Sequence, residues 1–315
     1  MVQAACVLTV SAVLLAAEDV PRPSMPFPGK DVPTIQAWQT KARARLFGLL
    51  MRDENPKPVP PDPQPIKTED RGDYTLYGLR IKTLSDLTEE AWISVPRGAK
   101  PGATPAILSL HGHGGHPYRQ FDPKDLYFFS DYYARRGYVV MAVDIDGHKN
   151  QRKWTCQGWR VWTSLRALDY LCKRPEVDPD KLGVVGLSTG AFTTMFVMAL
   201  DERPKLAVMS GGLISFKQMW EPALNHCKCQ VIPGLGETFD HTDIIAMAAP
   251  RAFCFQNGKR DTIFPWKDGV HAFQKLQAMW AYFNAYDKLV YDMPDGGHAF
   301  VVDVPTYWLE RYLRE

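Results

Sequence analysis

Seven residues, His111–Pro117, read HGHGGHP and hold three histidines and three glycines. Histidine is the commonest metal ligand, and glycine lets the main chain come close to a bound group. The stretch could hold a metal, or it could present backbone N–H groups to a developing negative charge. A second stretch, Gly186-Leu187-Ser188-Thr189-Gly190, matches G-x-S-x-G. It follows the apolar run Leu182–Val185 and precedes the apolar, helix-like TGAFTTMFVMAL. A strand–turn–helix of that kind holds its serine in strained backbone angles, with Oγ exposed at a helix N-terminus. The chemistry it offers is nucleophilic attack on an acyl carbon by Ser188.

A serine hydroxyl needs a general base, and the base needs an acid to orient it. After a G-x-S-x-G turn these follow in the order acid, then histidine. His226, His241, His271 and His298 come after Ser188. His298 stands in MPDGGHAF, on a glycine loop past the last strand-like run, where an imidazole can reach the serine. His271 lies within the helical KDGVHAFQKLQAMWAYF, which suits a surface or core role. For the acid, FQNGKRDTIFP places Asp261 in a loop after a strand; Asp292 and Asp295 lie too near His298 in sequence.

The HGHGGHP loop follows the apolar run AILSL, where this arrangement needs its second oxyanion donor. Losing one such donor can cost on the order of 3 kcal/mol. The expected donors are the amides of Thr189 and of His113 or Gly114, with His111 bracing the loop by hydrogen bonding. The metal reading is weaker. Zinc sites use histidines four apart on a helix or two apart on a strand with a distant third ligand, and no H-E-x-x-H is present. No metal and no cofactor is assigned.

The elements that must carry these residues read as a parallel sheet. Short apolar runs at 107–110, 138–145, 181–188, 205–212, 251–258 and 288–296 alternate with helical or loop stretches. Continuous apolar strands between helices imply an α/β fold, mostly parallel, with helices on both faces. YTLYGLRIKTL and EEAWISVP read as a strand pair ahead of it. The rhythm breaks only between about 213 and 250, an expected insertion over the carboxyl edge of the sheet, where ligands bind. Trp220, Glu221 and His226 within it are candidate substrate contacts. DIDGHKNQR ends another strand on the same edge, so Asp146, His148 and Arg152 could wall the site.

Of 315 residues, 45% are apolar, enough for one large core, and the charge of +2 gives no sign of a nucleic-acid partner. Residues 18–69 form a Pro-rich arm around one helix, with apolar residues at Ile35, Trp38, Ala42, Leu46 and Leu50; residues 70–315 form the catalytic domain. The apolar run Ala4–Ala17 is too short for a membrane span and fits a signal peptide over 1–17, although no Lys or Arg precedes it. That implies a secreted or periplasmic protein. Six cysteines include Cys227-Lys228-Cys229, a poor zinc-finger spacing without a second pair; one disulfide is possible in an oxidising compartment, between cysteines the sequence does not single out.

SLRALDYLCKRPEVDPDKLGVVGLSTGA, HGHGG, AAPRAFCFQNGKRDTIFP and GGHAF together resemble α/β-hydrolases of the acetyl xylan esterase and dienelactone hydrolase-like group, over residues 70 to 315. The resemblance implies a serine esterase acting on carbohydrate-linked or other small acyl esters, with Ser188, Asp261 and His298 as its triad. Such proteins usually have a further glycine where Ala191 stands. A dienelactone hydrolase proper would use cysteine in place of Ser188. Glucuronoyl esterases resemble the chain less well, since they carry arginine where Thr189 stands.

The expected activity is therefore hydrolysis of short acyl esters such as acetylated xylan, with no cofactor, nucleic acid or membrane span. A peptidase of the prolyl oligopeptidase type shares the triad order, but no large propeller lies in this sequence. An inactive binding module on the same scaffold would not need the complete triad.

Overall fold

The computed structural model describes residues 23–315. The expected signal segment, the start of the arm and Cys6 lie outside the described residues.

Among the described residues, nine strands form a single sheet. They are β1 (Gln64–Asp70), β2 (Tyr74–Leu84), β3 (Leu87–Pro96), β4 (Thr104–Leu110), β5 (Val139–Val143), β6 (Val177–Leu187), β7 (Leu206–Ser210), β8 (Ala252–Gln256) and β9 (Leu289–Asp292). The helices are α1 (Val32–Met51), α2 (Phe129–Ala134), α3 (Cys156–Leu171), α4 (Thr189–Leu200), α5 (Phe216–Met219), α6 (Leu235–Thr238), α7 (His241–Ala246), α8 (Trp266–Ala281) and α9 (Asp303–Leu313). The strand order is β1-β2-β3-β5-β4-β6-β7-β8-β9. β1, β2, β3 and β5 pair antiparallel in succession; from β5 through β4 to β9 every pair is parallel.

The central strands β5, β7 and β8 are buried at every position, as a sheet covered on both sides requires. Side chains alternate between two cores. Ala106, Leu108 and Leu110 of β4 join Met141 and the helices α1, α3, α4 and α7 on one face, while Ile107 joins Val140, Val185 and residues of α2 and α9 on the other. This is the expected α/β-hydrolase architecture.

The arm is built into the domain. Asp31 caps α1 by accepting from the N–H of Thr34. Ile35, Ala42, Leu46 and Leu50 are buried as the helical spacing requires, and Trp38 is half-buried. Gln39 donates to the carbonyls of Ala246 and Ala249, and Arg43 to that of Ala199. The α1 backbone comes so close to α3 that a Cβ at Gly158 would lie 2.2 Å from the Leu50 carbonyl oxygen. One element differs from the sequence reading. β1 lies almost wholly inside the segment read as Pro-rich arm and pairs with β2 at the sheet edge. It carries no apolar alternation, because six of its seven residues are exposed.

Candidate active site

β6 delivers Ser188 at the carboxyl edge of the sheet. Its φ of 61° and ψ of −124° place it in a region that side chains rarely occupy. The turn is closed by two glycines. A Cβ at Gly186 would lie 2.4 Å from the Gly190 carbonyl, and one at Gly190 only 2.0 Å from the Leu110 carbonyl oxygen. The backbone N–H of Ser188 donates to the carbonyl of Ser210, tying the turn to the end of β7. Thr189 then opens α4, so its amide is one of those a helix leaves unpaired in its first turn. Ala191, where the resembling group has glycine, packs against Gly212, whose lack of a side chain makes the room.

Asp261 and His298 sit on loops that close over each other. The N–H groups of Asn257, Lys259 and Arg260 donate to the carbonyls of Asp292, Pro294 and Gly296. A Cβ at Gly258 would lie 2.3 Å from the Gly297 carbonyl oxygen. The result is a 2.8 Å bond between His298 Nδ1 and Asp261 Oδ2. The other carboxylate oxygen of Asp261 accepts from the N–H groups of Ile263 and Phe264. Burial would raise the Asp261 pKa, but the bond from His298 and those from Phe264 and Ile263 outweigh it, and the group stays below the usual carboxylate value. It is therefore ionised and fixes the proton on Nδ1. The other ring nitrogen, Nε2, is buried and has no hydrogen-bond partner. The imidazole stacks on Phe264 and lies against Gly211, the residue after Ser210, so it stands beside the turn that carries Ser188.

The other acids and histidines weighed for these roles lie elsewhere. Asp292 accepts from Gln256, and Asp295 pairs with Arg260 at the surface. His241 is buried against the Ile214 carbonyl, and His271 is exposed on α8.

The histidine–glycine loop forms a tight turn, in which the Gly115 N–H donates to the Gly112 carbonyl and Gly114 takes a φ of 72°. A Cβ at Gly112 would lie 2.5 Å from the Tyr127 hydroxyl. His111 is buried. Its Nε2 accepts from the Ile145 N–H, so Nδ1 carries the proton toward the Gly112 carbonyl. This is the bracing role its position suggested. A cavity of about 10 Å³ is enclosed by His111, Gly112, His113, Gly114, Ile145, Asp146, Arg160 and Thr189. That is room for about one water-sized atom, and it brings together the three residues expected to stabilise an oxyanion.

The proposed substrate contacts divide. The His226 ring lies 4.8 Å from that of Phe264, which in turn stacks on His298. Its Nε2 is buried without a partner, and burial, with His241 and His298 nearby, lowers its pKa. Trp220 lines an apolar hollow of about 530 Å³ with Phe216, Ile232 and Leu235, and none of Ser188, Asp261 and His298 lines that hollow. Glu221 is exposed. Arg152 pairs with Asp86 at 2.5 Å and lines a separate polar hollow, with no bond to Ser188, Asp261 or His298. Asp146 lines the small cavity, and His148 Nε2 lies 3.0 Å from His113 Nε2. The residues that sequence reasoning missed are Gly211, Phe264 and Arg160. Only the fold brings them to the site, and no local pattern marks them.

Comparison with known proteins agrees with this architecture. A "Putative hydrolase YtaP" of Bacillus subtilis (strain 168) is 27% identical over 278 residues, covering 79% of this chain and 90% of that one. A glucuronoyl esterase from Solibacter usitatus superposes with a TM-score of 0.70 at 16% identity, covering 96% of this chain and 98% of that one. Acetyl Xylan Esterase 1 from Thermoanaerobacterium sp. JW/SL YS485 gives 0.57 at 17% identity, covering 87% and 93%. At these identities the likeness is one of fold. The profile of the Prolyl oligopeptidase family matches residues 121–313, well over half of the sequence and the whole stretch from the histidine–glycine loop's far side to the last helix. The chain belongs to the prolyl oligopeptidase family and carries the α/β-hydrolase fold.

Proposed function

We propose that the protein is a serine esterase that hydrolyses short acyl esters of carbohydrates, acetyl esters first among them. The observation that carries the reading is the pairing of His298 Nδ1 with a buried, ionised Asp261 while Nε2 stays unpartnered beside the strained Ser188 turn. In this reading Ser188 Oγ attacks the ester carbonyl and its proton passes to His298 Nε2. Asp261 holds the imidazolium that forms. The carbonyl oxygen, now negative, enters the small cavity and accepts from the amides of Thr189 and of His113 or Gly114. His298 returns the proton to the departing alcohol. Water, activated by the same imidazole, then releases the acid. None of these steps calls on a cofactor.

The solved structures that share the fold include proteins described as acetyl xylan and glucuronoyl esterases, which favours a sugar ester. In this reading His226, whose Nε2 has no hydrogen-bond partner beside Phe264, bonds a sugar hydroxyl. The absence of arginine at position 189 favours a neutral acyl group over a glucuronate ester. An exported protein, processed after residue 17, suits a polysaccharide substrate outside the cell.

The family match favours a second reading, a serine peptidase working through the same three residues. Both are tested by assaying p-nitrophenyl acetate and acetylated xylan beside a proline-containing peptide amide, with Ser188→Ala as control. The esterase reading expects turnover of the esters only, lost in the variant. Turnover of the peptide alone would replace it with the second.

A further inference from the structure

We infer that His113, His148, Cys227 and Cys229 form a zinc site that clamps the 213–250 insertion to the histidine–glycine loop. The four ligand atoms come from three separate segments and lie within 4.8 Å of one another. His113 Nε2 is 3.0 Å from His148 Nε2, and Cys227 Sγ is 3.9 Å from the same His148 nitrogen. Zinc binds imidazole nitrogen at about 2.0 Å and thiolate sulfur at about 2.3 Å. A tetrahedron with those bonds has edges of about 3.3 Å between nitrogens and about 3.5 Å between nitrogen and sulfur. The observed separations bracket these values, so small side-chain shifts would complete the shell.

The surroundings suit an ion of that charge. The four residues would bind as neutral imidazoles and thiolates. Two thiolates and a divalent ion leave the site neutral, which tolerates the nearby guanidinium. Arg160 is locked in place by the carbonyls of Cys229 and Ile145 and by Gln157, and donates to Cys229 Sγ at 3.1 Å. That is the outer contact a metal-bound thiolate takes.

Read from sequence, Cys227-Lys228-Cys229 lacked a second pair and the loop histidines lacked a distant ligand. Folding supplies each with the other. Four protein ligands leave no open position, so the role is structural rather than catalytic. The clamp would fix His113, whose amide borders the oxyanion cavity, and Cys229, which precedes Gln230; Gln230 Nε2 donates to Thr189 Oγ1 at 2.8 Å. The inference does not depend on the esterase reading, because its readout is the metal itself.

The test dialyses the full chain, purified under reducing conditions, against zinc and then against metal-free buffer, and measures bound metal by mass spectrometry. Cadmium is added in parallel and its thiolate charge-transfer absorption recorded. The expected result is one zinc per chain, a cadmium–thiolate band, and both lost in Cys227→Ser and kept in Cys172→Ser. His148→Ala, a change at an exposed residue that should not disturb folding, should weaken zinc by at least about 100-fold. No retained zinc in wild type, or unchanged zinc in both Cys227→Ser and His148→Ala, would overturn it.

Discussion

A Cβ added at Gly211 would lie 2.7 Å from Cε1 and 2.9 Å from Nδ1 of His298. The imidazole is thus seated against bare backbone, at a residue whose φ of 56° also disfavours any side chain. Gly211→Ala must push the ring off its contact with Asp261 or distort the end of β7. A displacement near 1 Å at a reacting group costs about 100-fold in rate. We expect kcat for p-nitrophenyl acetate to fall by at least that factor, with circular dichroism showing the fold intact; an unchanged kcat would mean the ring position is not critical.

Asp261 holds one proton in place and one orientation. Asp261→Asn keeps the shape but offers an amide to Nδ1 and stabilises no imidazolium. The expected loss in kcat is roughly ten-thousand-fold, by analogy with serine hydrolases of this logic. The loss should concentrate in kcat rather than KM, measured with the same ester.

The Ser188 turn depends on contact between backbones. Gly190→Ala would drive a methyl group within 2.0 Å of the Leu110 carbonyl oxygen, at the junction of β4 and α4. Overpacking of this kind costs about 3 kcal/mol. Urea denaturation should show the midpoint falling accordingly, whereas a neutral substitution would mean that the two segments separate easily.

Glu89 of β3 gives a pH signature. Burial, with Asp144 nearby, raises its pKa from 4.5 to about 8. The folded protein therefore holds a proton that the unfolded chain releases between about pH 4.5 and 8. Stability is greatest below the unfolded value and declines as pH rises through that window. Urea unfolding at a series of pH values should show the decline, and Glu89→Gln should flatten it. An equal slope in the variant would assign the effect to another group.

Much of this was legible in the sequence, for physical reasons. Ser188 announces itself because the turn demands glycines at two fixed positions, and His298 and Asp261 because each stands just past an apolar run that becomes a strand. The arm helix was readable from the spacing of Ile35, Ala42, Leu46 and Leu50. β1 was not: an exposed edge strand buries no face, so it leaves no alternation, and Pro65 lies within it. Nor could one sequence show that Cys227 and Cys229 meet His113 and His148, since three loops converge only after the sheet forms. Arg152 was read as a wall of the site because it follows the end of β5 on that edge; its side chain pairs with Asp86.

The most direct test of the account is whether Ser188 is activated by His298 in the folded protein. A fluorophosphonate probe, followed by peptide mass spectrometry, should label wild type at Ser188 alone, with labelling abolished in Ser188→Ala and reduced by orders of magnitude in His298→Ala. Folded wild-type protein that stays unlabelled, or labels at the same rate without His298, would contradict it.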